Sequence, residues 1–271
     1  MSGAVAGESF VEVGGNRLHI AVDGRTDDGP WLTLLNSLAA DMRMWEPQIE
    51  PLGKTFRLLR MDARGHGRSS ADNPPRSVDD LASDVVGVWD ALGIERSHVV
   101  GLSLGGMTGF GLALDHPKRV SRLVAADCRA DAPPFFVEMW DKRQQTLRES
   151  GIAKVAEGTL PIWFSEATRK ERPHIVEAAR AMIVGTSEAG YMGASRALQK
   201  LDYKRRLAEL KCPTLFLVGA LDGPHPVEMR SMAALVPGAE FVELADAAHI
   251  SNLEQPERFT EAVLRFLKGT S

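Results

Sequence analysis

Residues 101–105 read Gly-Leu-Ser-Leu-Gly, and the two flanks of this pentapeptide differ in kind. Ser97-His98-Val99-Val100, before it, is the short apolar run of a buried strand, whereas Met107 to Leu114, after it, has the composition of a helix. A chain that passes from strand to helix within so few residues leaves no room for side chains beside the turn, which is what the glycines provide. The same turn forces Ser103 into a strained backbone conformation and lifts its hydroxyl above the sheet. Strand, Gly-x-Ser-x-Gly and helix together make a nucleophile elbow. The Leu104 amide then lies at a helix start, where an unpaired N–H and the positive end of the dipole can stabilise an oxyanion.

The rest of the chain supplies a sheet for this elbow. Phe10–Val13 and Arg17–Val22 flank Gly14-Gly15-Asn16 and predict a hairpin. Buried strands are expected at Trp31–Leu35, Phe56–Met61, Val120–Ala126, Thr214–Val218 and Glu240–Leu244. Helices are expected at Met42–Leu52, at Val78–Leu92 ending on Gly93, and at Glu257–Leu267. Alternation of this sort implies an α/β fold: a mostly parallel, eight-stranded sheet with helices on both faces. Pro133 to Tyr203 breaks the rhythm, with amphipathic pieces and no clear strand. We read residues 133–203 as a helical cap inserted into a core formed by 1–132 and 204–271.

Acyl transfer by a serine needs a base and an acid that orients the base, and on this architecture the chain order is Ser, Asp or Glu, His. Active groups should sit just beyond the carboxyl ends of strands. Asp222 follows the Thr214–Val218 strand and His249 follows the Glu240–Leu244 strand, so Ser103, Asp222 and His249 are the expected triad. Asp127, at the end of the preceding strand, is the alternative acid. His225 is the alternative base, although it follows Asp222 too closely to be expected to receive its hydrogen bond comfortably. The second oxyanion donor should come from the loop after Trp31–Leu35, where the Leu38 amide is the candidate and Asn36 and Ser37 should brace the loop. Asp62 to Ser69, despite its Arg and His residues, reads as a tight structural turn. Trp163, in the apolar stretch Leu160–Phe164 of the insertion, is expected to face Ser103 across the pocket, the alternative being a place in the core of the cap.

With 25% charged residues and a net charge of −4, the chain has no basic footprint for nucleic acid. No apolar run reaches the ~18 residues of a membrane span, and residues 1–10 lack the basic start and apolar centre of a signal peptide. The two cysteines, Cys128 and Cys212, each in an apolar, strand-like run, read as buried free thiols in a reducing cytosol, so a cytoplasmic location is expected. No Cys/His spacing suggests a zinc site.

These residues resemble the α/β-hydrolase superfamily over nearly the whole length. Within it, Asn36-Ser37-Leu38 with Asp41 to Gln48, Arg64-Gly65-His66-Gly67, Gly101 to Met107 and His249 to Glu257 resemble 3-oxoadipate enol-lactonases. The resemblance implies a helical cap, a Ser103–His249–Asp222 triad, Leu38 and Leu104 amides as the oxyanion hole, a small-molecule cyclic ester as substrate, and no metal or cofactor. A substrate of that type carries a free carboxylate, and Arg129, two residues beyond Asp127, is the candidate to grip it; a salt bridge to Asp127 or Asp131 is the alternative. Ala126 to Asp131 and Leu221 to His225 depart from the pattern. The triad alone leaves open a broad esterase or perhydrolase, a carbon–carbon bond hydrolase, or a ligand sensor that retains the site.

Overall fold

The structure is a computed structural model and describes residues 6–269. Eight strands form one sheet in the order β1-β2-β4-β3-β5-β6-β7-β8. They are β1 Gly7–Val13, β2 Asn16–Gly24, β3 Trp31–Leu35, β4 Arg57–Met61, β5 Ser97–Leu102, β6 Val120–Ala126, β7 Thr214–Gly219 and β8 Glu240–Leu244. The hairpin partner β2 runs antiparallel to β1 and β4, and all other pairings are parallel. The expected mostly parallel eight-stranded sheet is therefore present.

Its inner strands are almost wholly buried, as parallel strands covered on both faces must be. The covering helices are α1 Glu46–Gly53, α2 Val78–Leu92, α3 Leu104–Asp115, α8 His225–Ala233, α9 Ser251–Glu254 and α10 Pro256–Lys268. α2 starts on the Ser77 hydroxyl, which accepts from the Asp80 N–H at 3.2 Å, and stops at Gly93 with φ 68°. The single helix expected over Met42–Leu52 is instead a 3-10 turn, Met42–Trp45, followed by α1. Pro47 is the reason: without an N–H it belongs in a first helical turn, so the α-helix restarts beside it. Cys128 and Cys212 are buried and free, but they lie just after β6 and just before β7 rather than in strands.

Between β6 and β7 the chain leaves the sheet and forms α4 Pro134–Trp163, α5 Glu166–Glu171, α6 Pro173–Val184 and α7 Glu188–Leu198. α4 kinks at Gly151, where φ 73° and ψ 175° are not helical. These helices are the cap.

The strand register decides where chemistry can occur. Leu35 of β3 pairs with Gly101 of β5, and Leu102 of β5 with Ala126 of β6, so the segments that follow these strands emerge side by side. Gly219 of β7 pairs with Leu244 of β8, which brings the last two strand ends to the same edge. This edge is the carboxyl end of the parallel strands, the usual place for a site on such a sheet.

Candidate active site

Ser103 follows β5 directly with φ 55° and ψ −115°, a conformation that is strained for any residue with a side chain. The neighbouring glycines make it possible. A Cβ on Gly101 would lie 2.1 Å from the Gly105 carbonyl oxygen, and one on Gly105 would lie 2.1 Å from that of Leu35. The Ser103 N–H donates to the Ala126 carbonyl at 2.8 Å, so the turn is anchored to β6.

His249 Nε2 lies 3.0 Å from Ser103 Oγ, and His249 Nδ1 lies 2.9 Å from Asp222 Oδ2. The structure thus brings the three expected residues into one hydrogen-bonded line. Asp222 is held by the end of β7: the Leu221 N–H donates to Ala247 at 2.8 Å and the Asp222 N–H to Gly219 at 3.1 Å. Burial alone would raise the Asp222 pKa, but the imidazoles of His249 and His225 outweigh it and hold the carboxyl well below the usual carboxylate range.

The alternative acid, Asp127, is fully buried and has other work. One carboxylate oxygen accepts from the Gly219 N–H at 2.8 Å and the other from the Ser251 hydroxyl, so Asp127 ties the ends of β6 and β7 to α9. Burial, and then the nearby charge of Asp222, push its pKa well above the carboxylate range. His225 departs from expectation. Its Nδ1 lies 3.3 Å from Asp222 Oδ2 and 3.2 Å from the Asp222 carbonyl oxygen. Three residues of separation are enough because His225 opens α8 and its ring turns back over the preceding turn. Asp222, His225 and His249 bring ligand-type atoms within 4.8 Å of one another. As arranged, Asp222 Oδ2 is within reach of both Nδ1 atoms, which makes the trio a hydrogen-bonded cluster.

Leu104 is the first residue of α3, so its N–H has no helical partner one turn earlier. In the β3 loop, the Ala40 N–H donates to the Ser37 carbonyl at 3.1 Å, closing a turn whose third residue, Ala39, has φ 66°. Leu38 is the second residue of that turn. Asn36 braces it from outside rather than within it: its amide donates to the Met61 carbonyl at 2.9 Å and its oxygen accepts from Trp45 Nε1 at 2.9 Å. Its reach to β4 follows from β3 and β4 being neighbours in the sheet.

Ser103, Leu38 and His249 open into a cavity of about 420 Å³ between core and cap, with Trp163, Trp140 and Met107 among its walls. Trp163 therefore lines the same cavity as Ser103, and its carbonyl accepts from the Ile250 N–H at 3.1 Å. Arg129 also stands in the wall, but in the salt-bridge arrangement. It donates to the Asp131 carbonyl at 2.6 Å and to its carboxylate at 3.2 Å, and lies 3.4 Å from Glu228. The salt-bridge alternative is thus present, with Asp131 and Glu228, not Asp127, as the partners of Arg129. Arg143 and Arg169 also line the cavity and form no ion pair among the described residues. The Asp62–Ser69 segment is structural, as expected: Asp62 accepts from the Met42 N–H at 2.8 Å and the Arg68 N–H at 3.0 Å.

One residue escaped the sequence reading as a functional candidate. Glu254, 2% exposed, accepts from the Ser165 N–H at 2.9 Å and the Ser165 hydroxyl at 2.7 Å with one oxygen, and from the Ala248 N–H with the other. It fastens the cap to the residue next to His249.

A profile of the alpha/beta hydrolase fold matches residues 30–256. The chain belongs to the α/β-hydrolase family. It is 30% identical to 3-oxoadipate enol-lactonase 1 of Acinetobacter baylyi, over 94% of each chain. It is 33% identical to a putative carbamate hydrolase of Caulobacter segnis, over 89% of this chain and 92% of the relative. Among solved structures, the enol-lactonase of Burkholderia xenovorans superposes with a TM-score of 0.92 at 36% identity, covering 96% of this chain and all of that one. The family and the resemblance to enol-lactonases are thus established, and this α/β-hydrolase is a hydrolase. Among the described residues no helix is long and apolar enough to cross a membrane.

Proposed function

We propose that this α/β-hydrolase cleaves carboxylic esters through an acyl-enzyme on Ser103, and that its substrate is a small lactone of the enol-lactone type. The observation that carries the reading is the line from Asp222 through His249 to a strained Ser103 in the wall of the cavity between core and cap. His249 Nε2 takes the proton of Ser103 Oγ as the oxygen attacks the lactone carbonyl. The Leu38 and Leu104 N–H groups meet the oxyanion, where preorganised donors typically contribute about 3–4 kcal/mol. When the ring C–O bond breaks, His249 returns the proton to the departing oxygen, which stays tethered to the acyl group. Water, deprotonated by His249, then cleaves the acyl-enzyme and regenerates Ser103. Asp222 keeps Nδ1 protonated and stabilises the imidazolium in both halves. Similarity to enol-lactonases at 30% and 36% identity supports the lactone.

The test is a panel of lactones and neutral aryl esters with wild-type protein and Ser103→Ala. Enol-lactones should have the highest kcat/KM, and the alanine variant should lose on the order of 10⁶-fold in turnover. Retention of more than roughly a hundredth of the activity by Ser103→Ala would remove the covalent mechanism. A preference for aryl esters would move the reading to a broad esterase.

A further inference from the structure

Among the described residues, the large apolar side chains left exposed are Phe135, Ile162, Val184, Leu221, Val227 and Leu235. Three of them, Phe135, Ile162 and Leu221, line the cavity that holds Ser103 and His249. They are 55%, 48% and 56% exposed. Each directly adjoins in sequence a buried residue of the same wall: Phe136, Trp163 and Asp222 in turn. The three come from separate places. Phe135 belongs to the first turn of α4, Ile162 to its last turn beyond the kink at Gly151, and Leu221 to the turn after β7, where its N–H is tied to Ala247. Exposed apolar residues scattered singly are ordinary. Three that converge on one opening are an apolar rim, continuous with an interior that includes Met107, Phe136, Trp140 and Trp163.

We infer that this rim is a subsite for an apolar chain on the acyl part of the substrate: the enzyme takes lactones whose ring substituent is an alkyl chain long enough to pass Ile162, Phe135 and Leu221 while the ring carbonyl lies at Ser103. The inference rests on the reading of Ser103 as nucleophile given above and adds the class of substituent. Space and surface both lead to it. The cavity, at about 420 Å³, falls in the range of roughly 300–1,000 Å³ that takes a drug-sized ligand, and a lactone ring with a short substituent leaves much of it unfilled. A bare ring also leaves the rim in water, whereas a chain covers the rim and is covered by it. The rim belongs to the opening of the site itself, so the substrate is what passes over it.

Ring opening leaves the substituent attached to the acyl group, so the chain keeps its place through the acyl-enzyme. An alkanoyl aryl ester likewise keeps its chain on the acyl group. A methylene taken fully out of water is worth about fourfold in kcat/KM, and one lying against a half-exposed rim about twofold. The groups of the same wall that would instead favour a charged substituent are Arg143 and Arg169. Both have neighbours in the cap: Arg143 lies over the Trp140 ring, 5.1 Å from its centroid, and Arg169 Nε donates to the Phe164 carbonyl at 3.3 Å.

The experiment measures kcat/KM for two series, enol-lactones with alkyl substituents from methyl to hexyl and p-nitrophenyl esters from acetate to octanoate. Wild type, Ile162→Asn and Phe135→Asn are compared. On wild type, kcat/KM should climb by about two- to fourfold per methylene and level off once the chain has passed the rim. In both variants the ratio of long-chain to short-chain kcat/KM should fall by about threefold or more. A flat or falling wild-type series overturns the inference without any variant. Equal losses at every chain length in the variants overturn it too, and would make the rim a surface for something other than substrate. So would a carboxymethyl enol-lactone that outperforms the hexyl member, since Arg143 and Arg169 would then choose the substituent. The reading of the site fails separately. A Ser103→Ala protein that still hydrolyses the best substrate removes the nucleophile, and a wild type that climbs along the ester series but leaves the lactones intact removes the lactone while the apolar subsite stands.

Discussion

Glu254→Ala should cost both stability and turnover. The carboxylate is buried, and its removal strands two main-chain donors, the N–H of Ser165 in the cap and the N–H of Ala248 beside His249. The Ser165 hydroxyl can turn to Thr168, whose Oγ1 is 3.3 Å away, but the two amides have no such recourse. A hydrogen bond to a charged acceptor is worth about 1.5–3 kcal/mol. Two of them lost from a buried site set the cost at about 3 kcal/mol or more, less whatever water recovers in the void. For a chain of this size that is a fall in Tm of about 6–12 °C. The same change frees the His249 loop on one side, while the Ile250 N–H still donates to the Trp163 carbonyl at the end of α4 at 3.1 Å. Since a shift of about 1 Å in a catalytic group can cost 10²-fold, kcat should fall by about 10–100-fold while KM changes less. Glu254→Gln keeps one acceptor oxygen but turns an NH₂ towards one of the two amides, so it should fall between wild type and alanine. Calorimetry and steady-state kinetics on both variants check this. A Glu254→Ala protein with Tm within about 2 °C and kcat within about twofold of wild type would show that the cap and the base are not coupled through this carboxylate.

What could be read from sequence divides along local and non-local lines. The elbow was legible because Gly101, Ser103 and Gly105 and their flanking patterns lie within one short window. Asp222 and His249 were legible as acid and base candidates because each follows an apolar strand, and strand ends meet at one edge of a parallel sheet. The position of β4 between β2 and β3 was not, since nothing in a strand's own residues names its neighbours. That order puts the Met61 carbonyl where Asn36 finds it. Glu254 sits five residues after His249, yet its partner Ser165 is 89 residues away, and only the folded cap brings them together. The salt bridge of Arg129 was half visible: Asp131 is two residues on, but Glu228 arrives from α8. His225 failed for the opposite reason. It is so near Asp222 in sequence that spacing alone argues against the contact, and the helix start that makes the contact possible is a matter of backbone direction.

Further outcomes separate roles within the site. Trp163→Ala removes a cavity wall that is only 4% exposed, so it should lose about 3–5 kcal/mol of stability and change the ranking of lactones against aryl esters; an unchanged ranking in kcat/KM returns the residue to packing alone. Arg129→Ala should impair anionic and neutral substrates alike, because the guanidinium is already paired with Asp131 and Glu228; a rise in KM confined to anionic lactones would reinstate it as a carboxylate grip. The two buried aspartates should behave in opposite ways. Asp222→Asn should lower kcat/KM by about 10⁴ by favouring the wrong His249 tautomer. Asp127→Asn should leave kcat/KM within about tenfold, because its oxygen can still accept from Gly219 and its amide can donate to the Ser251 oxygen once that hydroxyl turns away. Stability distinguishes them further. The folded protein holds the Asp127 proton to higher pH than the unfolded chain does, so between the ordinary carboxyl value of about 4 and the raised folded value the native state binds more protons. Native stability from this group is therefore greatest at low pH and declines as pH rises through that window. Asparagine does not titrate, so the Tm of Asp127→Asn relative to wild type should climb from pH 4.5 to pH 8. A Tm difference that is constant, or that shrinks as pH rises, would mean that Asp127 is stabilised as an anion by Gly219 and Ser251, and that burial beside Asp222 does not govern its charge.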